Sequence, residues 1–369
     1  MSHPENYTVI GAGHGGKAMA AHLAIMGKKV TLFNRTYANI QMMAARGGIE
    51  LESYEYGPRG FGKLVKATAD ISEALADAEV IMVVVPSSAH ADIAAKCAPH
   101  LKDGQIIVLN PGRTLGSMEF RFVLERNNCK ADVTISEAET FIYASRSDGP
   151  AQARIFRIKE AVPLAALPSS RTQLVLDAIN DVYPQFIDGT DVLHTGLNNM
   201  GAIFHPALTI LNAGRIESTR GDFQFYIDGV TPSVAGVLEA LDRERVTVAA
   251  AIGIRARTAM EWLHIAYDVT GVNLLDAIHN QPGYVGIKAP GTLNHRYIFE
   301  DVPMSLVPIA SIGKRFGVSV RGIDSMIRLA CVIHQTDYWR RGRTLEKIDL
   351  DGLSGDELIR YAQNGVIPY

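Results

Sequence analysis

Cysteine is scarce. The 369-residue chain has three, Cys97, Cys129 and Cys331, and they lie far apart. An odd, scattered set excludes a disulfide framework and offers no metal-ligand spacing, so no metal is expected and a reducing compartment is. Long apolar runs are also missing. A stretch such as "VIMVVVP" (80–86) falls far short of the ~20 residues a membrane helix needs. The opening "MSHPENYTVIGAG" has no charged segment leading into an apolar one, so no signal peptide is expected. Neither charge dominates: 36 Lys and Arg face 39 Asp and Glu, for a net charge of -3. That balance gives no reason to expect nucleic acid or a membrane surface as a partner. The basic run "YWRRGR" (338–343) reads as a solvated face or a helix end. A cytoplasmic protein is expected.

Apolar residues are plentiful, at 47%. That content and the length suggest two domains. Through the first half, short β-branched runs alternate with helix-like stretches: "YTVIGAG" (7–13), "KKVTLFNR" (28–35), "AEVIMVVVP" (78–86) and "GQIIVLNPG" (104–112). Continuous apolar strands separated by helices predict a parallel-rich, doubly wound α/β sheet. "ADVTISEAET" (131–140), "RIFRIKE" (154–160) and "AVPLAALP" (161–168) read as further strands, the last two as a hairpin pair. Beyond about residue 190 helical periodicity takes over. The spacing predicts helices over 193–216, 231–252, 254–270, 303–316, 320–340 and 354–364. The expected organisation is an α/β domain over 1–190 and an all-α domain over 191–369, with the boundary inside "FIDGTDVLHTG" (186–196).

"GAGHGG" (11–16) follows the first strand and opens the first helix. In that context the G-x-G-x-x-G spacing points to a dinucleotide. Gly11 permits the tight turn, Gly13 lets backbone approach a pyrophosphate, and Gly16 allows helix and strand to pack closely. The helix end supplies free N–H groups and partial positive charge. His14 lies inside the loop. The second strand ends in Asn34 and Arg35, where an NAD site usually carries an acid. A carboxylate there would repel a 2′-phosphate, whereas Arg35 would attract one. NADP is therefore the preferred cofactor, with NAD possible. Strand ends in such sheets line the cofactor crevice, which nominates Ser87 in "PSSAH" and Gly112 in "NPGRT".

The segment 193–216, "LHTGLNNMGAIFHPALTILNAGRI", carries polar residues on an apolar helix. Asn198, His205 and Asn212 recur every seven residues, nearly two turns, and so fall on one face. Pro206 removes a backbone donor and predicts a kink or break at His205. Burying such groups without partners is costly. A polar cleft lined by this face would remove the cost; a His bonded to backbone would do so too. "HRYIFEDVPMSLVPIA" (295–310) offers partners: Asp301, placed where a helix begins, and Arg296, placed in a loop and suited to a carboxylate.

With "GAGHGG", "NNMGAIFHPALTILNAG" and "HRYIFEDVP", the chain resembles the opine dehydrogenase family over essentially its whole length. The resemblance implies an N-terminal Rossmann domain joined to a helical opine-dehydrogenase domain. It implies NAD(P)H-dependent reductive condensation of an α-keto acid with the amino group of an amino acid. Under it His205 matches the catalytic His, Asp301 the acid that pairs with it, and Arg296 the Arg that holds a substrate carboxylate. Thr140 looks like a substrate-side residue, and Asn198 stands where related enzymes keep a polar residue near the nicotinamide. A homodimer is the implied assembly. Two other readings stay open. Keto reductases of the ketopantoate or glycerol-3-phosphate type share the plan but use a helical-domain Lys, and residues 191–310 contain only Lys288, in a glycine-rich loop. A non-catalytic NADP-binding redox sensor would keep the glycine loop and need no His–Asp pair.

Overall fold

The computed structural model describes residues 3–54 and 57–367. Among the described residues, twelve strands form two sheets. They are β1 (Asn6–Ile10), β2 (Lys29–Phe33), β3 (Gly48–Ser53), β4 (Gly60–Lys63), β5 (Lys66–Thr68), β6 (Val80–Val83), β7 (Ile106–Leu109), β8 (Thr134–Ala138), β9 (Tyr143–Gly149), β10 (Gln152–Ile158), β11 (Val162–Leu167) and β12 (Phe186–Asp188). The large sheet runs β12-β11-β8-β7-β6-β1-β2-β5. Every pairing in it is parallel except that of β11 with β8.

The continuous apolar runs have a direct cause. Side chains alternate across a strand, and both faces of this sheet are covered. Val80 and Met82 of β6 enter one core cluster with Met19 and Leu23 of the first helix. Ile81 and Val83 enter the other with Ile93, Phe120 and Leu124. The parallel-rich α/β reading is what the structure has.

The small sheet, β4-β3-β10-β9, packs on the first helix, His14–Ile25. Gly62 of β4 comes so close that a Cβ there would lie 2.7 Å from Ala21 Cα. The expected hairpin of 154–160 with 161–168 does not form. β10 pairs with β9 and β3, while β11 pairs with β8 and β12. β10 alternates between covered and open positions, and β11 is buried at all six of its residues. The two strands therefore suit different sheets.

The chain divides into two compact units. The first holds residues 1–112, 116–195 and 361–366. The second holds 113–115, 196–360 and 367–369. The main division thus falls at 195/196, and residues 113–115 go with the helical unit. In that unit Pro232–Ala251 is the longest helix, and Thr231 caps it by accepting from the Val234 N–H. Its buried Arg245 binds Asp242 and the carbonyls of Leu197 and Arg257.

The single helix expected over 193–216 is three helices: Val192–Leu197, Gly201–Leu211 and Ala213–Thr219. The break falls at 198–200, not at His205. Arg245 takes the Leu197 carbonyl, and Asn199 Oδ1 accepts from the Gly201 N–H at 3.0 Å. Asn side chains compete in this way for backbone groups that would continue a helix. Pro206 lies at the centre of the middle helix, where its missing N–H costs one bond without ending the helix. Asn198, His205 and Asn212 therefore share no continuous helix face. Among the described residues no helix is long and apolar enough to cross a membrane.

Candidate functional site

The first unit offers an anion cradle made of backbone. Gly11 has φ +113, and a Cβ there would stand 2.3 Å from the Val84 carbonyl oxygen. At Gly16 a Cβ would lie 1.8 Å from the Gly11 oxygen. Nothing lies within 4 Å of the Cβ position at Gly13, so this glycine leaves room for an approaching ligand. No side chain caps the helix His14–Ile25, which leaves its first amides and dipole for a diphosphate. These features fit a dinucleotide.

The β9–β10 turn leans over the same helix end. Ser147 N–H donates to His14 Nδ1 at 2.8 Å, and Lys17 Nζ donates to Ser147 Oγ and the Gly149 carbonyl at 2.9 and 3.0 Å. Burial lowers the Lys17 pKa.

Asn34 Oδ1 accepts from the Ala12 N–H at 3.3 Å, and Asn34 Nδ2 donates to the Thr36 carbonyl. Arg35 projects into solvent, 3.9 Å from Asp92. Ser87 is buried at the turn after β6. Gly112 donates to the Ala138 carbonyl and packs on Glu137, where a Cβ would come within 2.5 Å. Thr140, after β8, accepts from Lys159 Nζ at 2.7 Å.

The second unit brings His205 and Asp301 together. His205 Nδ1 stands 3.0 Å from Asp301 Oδ2. The carboxylate is wholly buried and the imidazole is 18% exposed. An ionised Asp301 fixes the tautomer: Nδ1–H donates, and Nε2 is left for a ligand. The ring stacks on Tyr297 at 4.1 Å, and Tyr297 stacks on Phe225 at 5.4 Å. Burial pushes the His205 pKa down; its bond to Asp301 opposes this, and Arg113 and Arg296 add to it. Burial alone would raise the Asp301 pKa, but Arg113 and the bonded imidazole outweigh it and leave the carboxyl below its usual value.

Asp301 is followed by a π-helical turn, Val302–Leu306, a feature common at functional sites. Arg296 opens a one-turn helix, Arg296–Phe299, rather than lying in a loop; it is exposed, with its guanidinium 5.9 Å from the centre of the Tyr297 ring. Asn198 is buried, and its Oδ1 accepts from the Arg257 N–H at 2.9 Å.

Three neighbours escaped the sequence reading. Arg113 Nη1 forms an ion pair with Asp301 Oδ1 at 2.9 Å, and Arg113 Nε lies 3.6 Å from Glu300. Asn199 accepts from Arg113, and Tyr297 covers the imidazole. Arg113 sits in "NPGRT", where a charged residue directly after Gly112 at a strand end was the available signal. No three His, Cys, Asp or Glu side chains among the described residues are placed to share a metal ion.

A glycine cradle on a doubly wound sheet and a buried His–Asp pair in a helical unit are the plan of an NAD(P)-dependent dehydrogenase. Residues 6–112 match the family described as NAD-dependent glycerol-3-phosphate dehydrogenase N-terminus. Residues 189–334 match that described as NAD/NADP octopine/nopaline dehydrogenase, alpha-helical domain. The chain is 39% identical over 354 residues to an opine dehydrogenase of Arthrobacter sp. (strain 1C), covering 96% of this chain and 98% of the relative. It therefore belongs to the opine dehydrogenase family. Its fold is similar to that of octopine dehydrogenase solved with NADH and agmatine, at TM-score 0.81 and 20% identity over 96% of this chain and 97% of that one. It is also similar to NADP+-bound yersinopine dehydrogenase, at TM-score 0.74 and 13% identity over 98% of each chain.

Proposed function

We propose that this enzyme reductively condenses an α-keto acid with the amino group of an amino acid, using His205 to move protons and Asp301 to orient it. The 3.0 Å bond between His205 Nδ1 and Asp301 Oδ2 carries this assignment of roles. Overall, keto acid, amine, NAD(P)H and a proton give a secondary amine dicarboxylate, NAD(P)+ and water. Bound NAD(P)H supplies the hydride.

His205 Nε2 accepts a proton as the amine attacks and returns it to the departing hydroxyl, forming the imine. Asp301 stabilises the imidazolium in between. Arg296 holds the keto acid carboxylate, and positioning of this kind can lower a barrier by several kcal/mol. Thr140 and Asn198 complete the substrate side. Gly11, Gly13, His14, Gly16, Asn34, Arg35, Ser87 and Gly112 hold the cofactor. Support for the substrate class comes from the Arthrobacter opine dehydrogenase and from octopine dehydrogenase, whose structures include complexes with L-arginine and with pyruvate.

The test is NAD(P)H oxidation with pyruvate, with and without a panel of amino acids. Amine-dependent turnover is expected; equal turnover without amine would favour a keto reductase. NADP is the preferred cofactor, on the exposed Arg35 and the missing acid. Arg35→Asp is expected to shift the NADPH/NADH ratio of kcat/KM toward NADH by about tenfold, the equivalent of 1.4 kcal/mol. A cytoplasmic homodimer is the assembly we favour on the family resemblance, and light scattering on the purified chain tests its mass.

A further inference from the structure

The segment Arg113–Leu115 is held unusually firmly for a loop. Arg113 and Leu115 take φ +62 and +61, a left-handed region that residues other than glycine rarely adopt. Bonds within the helical unit fix it there. Thr114 N–H donates to the Met304 carbonyl at 3.2 Å. Pro308, four residues after Met304, has no N–H to give that carbonyl in an α-helical bond. Thr114 Oγ1 donates to the Gly196 carbonyl at 2.9 Å, and the buried Arg343 donates to the Thr114 carbonyl at 2.5 Å.

The side chain held by this segment reaches Asp301 directly and the start of the His205 helix through Asn199. Arg113 Nη1 pairs with Asp301 Oδ1 at 2.9 Å and donates to Asn199 Oδ1 at 3.3 Å. The same Asn199 oxygen accepts from the Gly201 N–H, at the start of the helix that carries His205. Gly201 makes the approach possible. A Cβ there would lie 2.8 Å from Arg113 Nη1 and 3.2 Å from His205 Cε1.

We infer that Arg113 is a positioning residue of the proton-transfer site. It holds one oxygen of Asp301 and the Asn199 end of the His205 helix, so that the other Asp301 oxygen stays on His205 Nδ1. The assignment rests on the proton-transfer role given to His205. Arg113 touches no substrate atom in this account and acts through Asp301.

The groups that face His205 are Asp301 and Tyr297 in contact, with Arg113, Arg296 and His295 at longer range. Removing the Arg113 charge makes the imidazole easier to protonate. Oxidation of the secondary amine product needs a neutral His205, so its kcat/KM should fall off on the acid side at higher pH.

The experiment compares pH profiles of kcat/KM for Arg113→Met, Arg113→Lys and the wild type. In Arg113→Met the acid limb should move to higher pH, with at least a tenfold loss at pH 6 and a smaller loss at pH 8. In Arg113→Lys, which keeps the charge and loses the fork, the limb should stay near the wild-type position while kcat falls. NMR titration of the His205 ring, assigned with His205→Asn, gives a readout independent of turnover. An unmoved limb and an unmoved His205 titration in folded Arg113→Met would overturn the inference. Should Arg113→Met not fold, Arg113→Met/Glu300→Gln also removes the carboxylate charge that faced the guanidinium, and the same comparison decides. If the wild type turns over no keto acid and amine pair, the proposed function fails, and the His205 titration still decides the role of Arg113.

Discussion

The glycine cradle and the His205 site use polar groups in opposite ways. The cradle spans six consecutive residues and works by keeping side chains out of the way of backbone, with no side chain capping the helix. The His205 site draws on residues from 113 to 301 and works by setting charged side chains against one another: imidazole to carboxylate, carboxylate to guanidinium. One needs the absence of side chains, the other their exact number of charges. The first site should therefore fail through sterics and the second through lost partners.

Asp301→Ala gives the largest expected break. It leaves His205 unoriented and takes from Arg113 the nearer of its two carboxylates, and turnover should fall at least about 100-fold. NADPH affinity, read by fluorescence titration, should stay at the wild-type value. An equal loss of affinity would mean that the pair serves cofactor binding instead.

The glycines sharpen the contrast among themselves. Gly16→Ala drives a Cβ into the Gly11 carbonyl and should lower Tm by several degrees, as for a few kcal/mol of strain. Gly13→Ala has open space around it and should leave Tm alone while weakening NADPH binding by about tenfold, or 1.4 kcal/mol. Equal effects of the two on Tm would remove the distinction between a packing glycine and an approach glycine.

The smallest effect concerns pH. His22, buried against Tyr143 and Tyr183 in the first unit, has its pKa pushed by burial to about 4. The unfolded chain, with a His pKa near 6.5, then binds more protons between those values, so stability rises with pH across that window. Above about pH 6.5 it is fully present; it is lost as pH falls toward 4. His205, lowered in the same direction, contributes with the same sign. His22→Gln should flatten the fall of Tm between pH 6.5 and 4. An unchanged slope would show that other groups set it.

Legibility followed the same division. The cradle and the strands β1, β2, β6 and β7 were readable because each is contiguous and buried on both faces, so local pattern and tertiary environment agree. The small sheet was not. Its strands β3 and β4 carry glycines and half-exposed positions, and β10 was matched with the wrong neighbour because pairing depends on which faces are covered. In the second unit the helical character and the candidates His205 and Asp301 were readable. The break at 198–200 was not, because it depends on Arg245, far along the chain, taking the Leu197 carbonyl. Arg113 escaped because its partner carboxylate is 188 residues later, and only the fold brings them to 2.9 Å. The basic run 338–343 held a further surprise: Arg340 and Arg341 end a short helix, while Arg343 is buried under the Thr114 carbonyl.

The most direct test is His205→Ala, with NADPH binding and amine-dependent turnover measured on one preparation. Unchanged NADPH binding with turnover reduced at least about 100-fold is the predicted result. Near-normal turnover in that protein would contradict the account, because it would leave the buried dyad without a part in the chemistry.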